Sequence, residues 1–200
     1  MPVRLPALLV GFIVLAYWAR VLRMARKIRR LAGHSANVIP PERVGRLIRV
    51  IWFPLTFLWI LVPLIAPFIK SPPWVLQPLV DLPVLEWAGC GVAAIAFLLT
   101  WICWKKMGKS WRMGIDPNET TSLIVTGPYA YVRHPIYALS SVLMLATVAA
   151  EPVPILVLIA IVHLVLLQME ARREERHQTR VHGQVYLDYC SKTGGFLPRF

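Results

Sequence analysis

An arginine and a histidine stand side by side directly before a proline in the run Gly127-Pro128-Tyr129-Ala130-Tyr131-Val132-Arg133-His134-Pro135-Ile136-Tyr137. A second polar group, Glu170, Arg172, Arg173, Glu174, Glu175 and Arg176, follows the last apolar stretch of the chain. These residue types suit the handling of a charged small molecule. A guanidinium binds carboxylate or phosphate in a planar fork, an imidazole exchanges a proton near neutrality, and a carboxylate takes a hydroxyl, an ammonium or a proton. A proline in the first turn of a helix leaves N–H groups free beside it, and the dipole of that helix start favours an anion. The plainer reading of Arg133, His134 and their tyrosines is an interfacial aromatic and basic belt. Composition leaves both readings open. Glu170 and Glu174 share a helix face, as do Arg172 and Arg176, and for Arg172, Arg176 and Arg180 a solvated helix end is expected.

The elements that must position these groups follow from composition. The chain has 200 residues, 57% hydrophobic and 16% charged, with a net charge of +12. Ordinary globular chains run about 45–50% apolar and about 25% charged, so the solvent implied here is a bilayer. A pI near 10.3 suggests a nucleic-acid binder, yet there is too little polar residue to build such a surface. Cys90, Cys103 and Cys190 have neither disulfide nor metal-ligand spacing. A helix needs about 20 apolar residues to cross a hydrocarbon core. Residues 5–19, 51–69 and 84–104 qualify, the first extended by Arg20 and Arg23, whose stems can snorkel. Residues 136–169 are too many for one span and are interrupted by Glu151-Pro152-Val153-Pro154, a tight turn between two helices. The expectation is an all-α integral membrane protein with five transmembrane helices.

Lysine and arginine collect in cytoplasmic loops. Of the 22 here, all but Arg4 and Lys70 fall in residues 20–49, 105–133 and 172–199, which this topology puts on one side. The amino terminus is therefore expected outside and the carboxyl terminus in the cytoplasm, in a bacterial or archaeal inner membrane. The first apolar run reads as an anchor and not a cleaved signal. The basic 25–49 loop, with Gly33, Asn37, Pro40 and Pro41 as breakers, reads as an anchor to anionic lipid.

Length brings the two polar groups together. Residues 135–150 make a helix of about 24 Å, shorter than the hydrocarbon core, so its start should sink below the headgroups with Arg133 and His134. Residues 155–181 run without a breaker for about 40 Å, so their polar end should project into the cytoplasm. The Glu151–Pro154 hairpin makes these helices antiparallel neighbours, placing carboxylates beside Arg133 and His134 in one crevice.

The tyrosine-arginine-histidine-proline run, the Pro-containing hairpin, Glu174-Glu175, and then Gly183, Tyr186, Tyr189 and Leu197-Pro198 resemble the isoprenylcysteine carboxyl methyltransferase and phospholipid methyltransferase superfamily. The spacing from Glu175 to Gly183 also matches, and Gly108-Lys109-Ser110-Trp111 resembles the segment that opens the conserved region. The resemblance covers residues 105–200. Thr121 stands where a histidine is frequent, Leu139 where a glycine is, and His182-Gly183 where Phe-Gly is usual. The resemblance implies that residues 1–104 are a three-span anchor and scaffold and that 105–200 carry the catalytic region with its two-helix hairpin. It further implies S-adenosylmethionine as cofactor, no metal, and a cytoplasmic pocket formed by the 105–135 loop and the carboxyl-terminal helix. The acceptor would be lipophilic and reach the site from membrane lipid: the carboxylate of a prenylated cysteine-like compound or a lipid amine. Carried over residue by residue, Leu123 and Ile124 match the adenine side. Tyr129, Arg133, His134, Pro135 and Tyr137 match the cofactor-binding core, and Glu174 and Glu175 the acidic pair.

Methyl transfer from a sulfonium is an in-line displacement in which positioning supplies most of the rate. Arg133 and the helix start suit the cofactor's carboxylate, and an acidic residue its ammonium or ribose hydroxyls. A carboxylate acceptor needs no base, whereas a protonated amine needs Glu174 or His134 to take a proton. The alternative is an NADPH-dependent membrane reductase, since sterol reductases resemble the same carboxyl-terminal arrangement; five spans leave no further helices to enclose a sterol. A non-enzymatic membrane adaptor would leave the crevice without a purpose. His163, Cys90 and Cys103 read as packing residues, Trp104 and Trp111 as interfacial ones. Asn118-Glu119-Thr120 spells a glycosylation acceptor on the wrong side.

Overall fold

A computed structural model describes residues 4–32, 36, 38–115 and 122–199. Six α-helices lie among them: α1 (Leu5–Ala32), α2 (Arg43–Ile65), α3 (Pro83–Met107), α4 (Pro135–Ala150), α5 (Pro154–His182) and α6 (Gln184–Lys192). The described residues contain no strand, only an isolated bridge between Val132 and Gly194. Helices α1, α2, α3 and α5 are long and apolar enough to cross a membrane, and α4 is apolar with 16 residues. Gly33, Asn37, Thr121 and the Asn118-Glu119-Thr120 acceptor lie outside the described residues.

Helix α1 buries Val10, Val14, Tyr17, Val21, Met24 and Ile28, a stripe at intervals of three and four that faces one partner surface. The opposite surface stays apolar as well. Phe12, Phe57, Ile95, Leu98, Leu158 and Ile161 all point outwards, the pattern of a bundle whose exterior meets lipid. Small residues at the same spacing, Gly89, Ala93 and Ala96, are buried on α3, and small residues let membrane helices approach closely. A Cβ added at Gly89 would sit 2.7 Å from both the Ala146 carbonyl oxygen and the Ala150 nitrogen of α4. Overpacking of this kind typically costs about 1–3 kcal/mol. Gly89→Leu should therefore lower the melting temperature in detergent by several degrees. Gly91→Leu, whose Cβ meets nothing within 4 Å, should leave it unchanged.

Polar side chains join the helices where a lipid-facing position would strand them. Trp59 Nε1 donates to Thr147 Oγ1 at 3.0 Å, and Ser140 Oγ and His163 Nε2 are 3.1 Å apart. His163 also meets Trp59 edge-on at 4.9 Å, the packed interhelical role expected of it. At one end of the bundle Arg4 pairs with Glu86 and lies 3.7 Å from Glu151. This brings together the starts of α1 and α3 and the α4–α5 hairpin.

Three expectations change. Most of the 25–49 region is helical, because α1 continues to Ala32 and α2 begins at Arg43; basic residues do not end a helix whose apolar face is still covered. Trp104 and Trp111 are 2% and 4% exposed. They are packed inside the protein at the end of α3 and do not turn outwards as belt tryptophans would. A sixth helix, α6, follows Gly183, whose positive φ of 55°, open to glycine at little cost, lets one helix stop and another start at once.

Candidate active site

The sulfur-free polar groups of the two motifs meet where α4 begins. Pro128 sits in a 3-10 turn, Gly127–Ala130, that carries the chain towards α4, and Pro135 opens that helix. Its N-cap is His134, with φ of −120°. The carboxyl-terminal segment folds back onto this junction. The Arg133 N–H donates to the Gly194 carbonyl at 2.8 Å, and the His134 N–H to that of Gly195 at 3.0 Å. Gly194 has no room for a side chain, since an added Cβ would lie 1.8 Å from the Leu197 carbonyl oxygen.

Between this junction, α5 and α6 lies a cleft with about 790 Å³ of empty space, its open mouth included. Leu123 and Ile124 line one side; Tyr129, Arg133, His134, Pro135, Tyr137 and Glu174 line the rest. Of the residues expected in a binding site, Glu175 is the exception. It lies on the adjoining side of α5 and faces a second, wider groove with Arg172, Arg176 and Arg180.

The two glutamates thus do different things. Tyr137 donates its hydroxyl to Glu174 Oε1 at 2.5 Å, and His134 Nδ1 lies 3.5 Å from Glu174 Oε2. Glu175 Oε1 takes Arg133 Nε at 2.9 Å and His134 Nε2 at 3.2 Å. Arg133 Nη1 also donates to the carbonyls of Cys190, at 3.3 Å, and Thr193. Arg133 is consequently a staple between α5 and α6 as well as a wall of the cleft, and its Nη2 is the arm left without a hydrogen bond among the described residues. His134 stacks on Tyr137 with ring centroids 5.5 Å apart. Glu170, expected on the face of Glu174, is 1% exposed and does not reach the cleft. It pairs instead with Arg173 at 2.6 Å and Arg49 at 3.4 Å.

Burial works against a charged His134, but the hydrogen bonds and charges of Glu174 and Glu175 outweigh it and hold its pKa above the ordinary 6.5. Glu175 lies on the polar extension of α5 beyond Met169. The hydrogen bond from His134 outweighs partial burial and, with Arg133, holds its carboxyl down at about 2. The upward shift favours the protonated imidazole, which donates from both nitrogens and so orients the two carboxylates. The stability contributed by a raised histidine is complete below 6.5 and is lost as pH rises through the raised value. That from Glu175 is complete above 4.5 and is lost as pH falls through about 2. Thermal stability in detergent should therefore be highest between pH 4.5 and 6.5 and decline by a few degrees on the alkaline side. The His134→Gln variant should lack that alkaline decline, which melting curves at a series of pH values would reveal.

Several lining residues have no individual role in the sequence reading: Met107, Arg112 and Ser122 of the 105–135 loop, Gln178, and Tyr186 and Tyr189, which stand only in the motif. Gln178 had a signal, since it follows Glu174 by one turn of the same helix. Tyr186 and Tyr189 belong to α6, whose return to the site carries no periodic signature. Tyr189 donates its hydroxyl to the Tyr129 carbonyl at 2.5 Å. The Tyr129 hydroxyl is buried and has no hydrogen-bond partner among the described residues, an unmet polar group of the kind that a bound ligand satisfies.

No curated protein sequence matches the chain. The family model described as phospholipid methyltransferase matches residues 84–185. That stretch starts with α3, contains the whole of α4 and α5, and ends at the start of α6. It therefore includes the helix pair whose junction with Arg133 and His134 forms the cleft. Spanning just over half of its length, the match shows that the chain belongs to the phospholipid methyltransferase family, within the isoprenylcysteine and phospholipid methyltransferase superfamily.

Proposed function

We propose that the protein is an S-adenosylmethionine-dependent methyltransferase that acts on a lipophilic acceptor at the cytoplasmic face of a membrane. The observation that carries this reading is Glu174. It is a carboxylate on the wall of an aromatic and apolar cleft, held by Tyr137 and His134, in a chain of a methyltransferase family. The residues present suit such a cofactor. Leu123 and Ile124 offer an apolar surface for a purine, and the partnerless Tyr129 hydroxyl offers a hydrogen bond. The Nη2 arm of Arg133 suits a carboxylate, and Glu174 an ammonium or ribose hydroxyls. Bound there, the cofactor would supply a methyl group on a positively charged sulfur.

The chain's own residues would bind, orient and exclude water, which is where most of the rate of such a displacement arises. Arg133 and Glu175 fix the junction, and His134 holds Glu174 in place. Should the acceptor be a protonated lipid amine, Glu174 would take its proton; for a prenylated cysteine-like carboxylate it would only bind. We further read α4 as a fifth span. The meeting of Arg4, Glu86 and Glu151 at one end and of Arg49, Met113 and Glu170 at the other supports an up-and-down bundle. All Lys and Arg except Arg4 and Lys70 lie towards the second end, which supports placing it and the carboxyl terminus in the cytoplasm. Reporter fusions after residues 30 and 192 should report the cytoplasm and a fusion at residue 75 the opposite side; the reverse pattern would refute the orientation.

Calorimetry on the detergent-solubilised protein tests the cofactor. S-adenosylhomocysteine should bind and NADPH should not. Binding of NADPH alone would replace this reading with that of a membrane reductase.

A further inference from the structure

Arg49 lies near the start of α2, outside the family-matched segment, and is 2% exposed. A guanidinium so deeply buried needs partners for every arm, because an unpaired buried charge is costly. Here each arm goes to a different part of the molecule. Nε donates to the Val38 carbonyl at 3.3 Å, Nη1 lies 3.4 Å from Glu170 Oε1, and Nη2 donates to the Met113 carbonyl. The group also packs over the Trp52 ring, 4.8 Å from its centroid.

These partners are the back of the cleft. Met113 follows Trp111 and Arg112, both of which line it, and the Met113 N–H is tied to the Ala36 carbonyl at 2.9 Å. Glu170 precedes Glu174 by one turn of α5, and its other oxygen is held by Arg173, which is itself paired with Glu42. Among the described residues no hydrogen bond or ion pair joins Arg49 to a lining side chain of the cleft, yet it joins the wall at 111–112 to the wall that presents Glu174. We propose that Arg49 is a positioning residue: a guanidinium contributed by α2 that sets the distance between these walls, and thereby the geometry of the cofactor site. The proposal rests on the reading of the cleft given above. Lysine cannot do the same work, since one ammonium lacks the rigid fork that reaches Glu170 and Met113 together.

The experiment compares melting temperature and S-adenosylhomocysteine affinity in wild type, Arg49→Lys, Arg49→Met and the double variant Arg49→Met/Glu170→Met. Replacing a whole buried ion pair with apolar residues is often neutral or stabilising, whereas removing one partner is not. Arg49→Met should melt lower and bind at least tenfold more weakly. The double variant should regain part of its melting temperature, since Arg173 keeps Glu42 but loses Glu170, without regaining affinity, because the ties to Met113 and Val38 are still missing. A merely structural role predicts that affinity recovers along with melting, and a double variant binding within twofold of wild type would overturn the proposal. If the double variant does not fold, Arg49→Lys decides. Melting within a few degrees of wild type with a tenfold loss of affinity supports the proposal, and unchanged affinity overturns it. Wild-type protein that binds no S-adenosylhomocysteine removes the cofactor reading and this role with it. Wild-type binding with unaffected variants removes the role alone.

Discussion

Replacing Glu174 with alanine is expected to weaken S-adenosylhomocysteine binding by about ten- to a hundredfold in a protein that melts close to wild type. A hydrogen bond to a charged group contributes about 1.5–3 kcal/mol, and each 1.4 kcal/mol is about tenfold in affinity. Stability should change little because the Glu174 side chain is 27% exposed. Its loss leaves the Tyr137 hydroxyl and one imidazole N–H facing a cleft that water can enter. Glu174→Gln adds a second distinction. It keeps an acceptor but loses the charge, so it should bind nearly as weakly as alanine if Glu174 holds an ammonium, and markedly better if it holds ribose hydroxyls. Isothermal titration of both variants gives the comparison, and wild-type affinity in both would remove Glu174 from the site.

Arg133→Ala should be the more damaging substitution, because it combines two losses. Its guanidinium joins Glu175 on α5 to the carbonyls of Cys190 and Thr193 at the end of α6. With the side chain 16% exposed, removing it should cost about 2–4 kcal/mol. For a chain of this size that is a fall of roughly 4–16 °C in melting temperature. The carboxyl-terminal segment should loosen first. Amide exchange across residues 184–199 should rise well before exchange in α3 or α4, and cofactor affinity should fall beyond the effect of Glu174→Ala. Arg133→Lys should recover the charge but not the bridge. Unchanged exchange protection across 184–199 in Arg133→Ala would show that the staple is not what holds α6.

How much of this was legible in the residues depends on the kind of signal each feature leaves. Apolar runs and the Glu151–Pro154 hairpin announce helices in one dimension, so all five apolar helices fall where hydropathy puts them. The approach of Glu174 to His134 follows from that hairpin and from the length of α5. Which glutamate faces the cleft does not. Neighbouring positions on a helix differ by about 100°, and the rotation of α5 is set by packing that includes Leu166, Leu167 and Trp52. The return of the tail is also silent, since Gly194 and Gly195 meet Arg133 and His134 through backbone hydrogen bonds, which leave no side-chain pattern to read. Arg49 shows a different limit. Counted with its neighbours it is one more basic residue of a segment expected in the cytoplasm, and charge counting cannot distinguish an arginine that reaches lipid headgroups from one enclosed by Glu170 and two carbonyls. Trp104 and Trp111 show the same limit: their residue type suits an interface, and that they are buried depends on packing.

The most direct measurement is methyl transfer from radiolabelled S-adenosylmethionine on membranes containing the protein, followed by organic extraction of the product. Label should enter a lipid-soluble compound with wild-type protein and fall by at least tenfold with Glu174→Ala expressed to the same level. Label transfer equal in Glu174→Ala membranes, or none with wild-type protein across the membrane's own prenylated and amine lipids, would contradict the assignment of the cleft as a methyltransferase site.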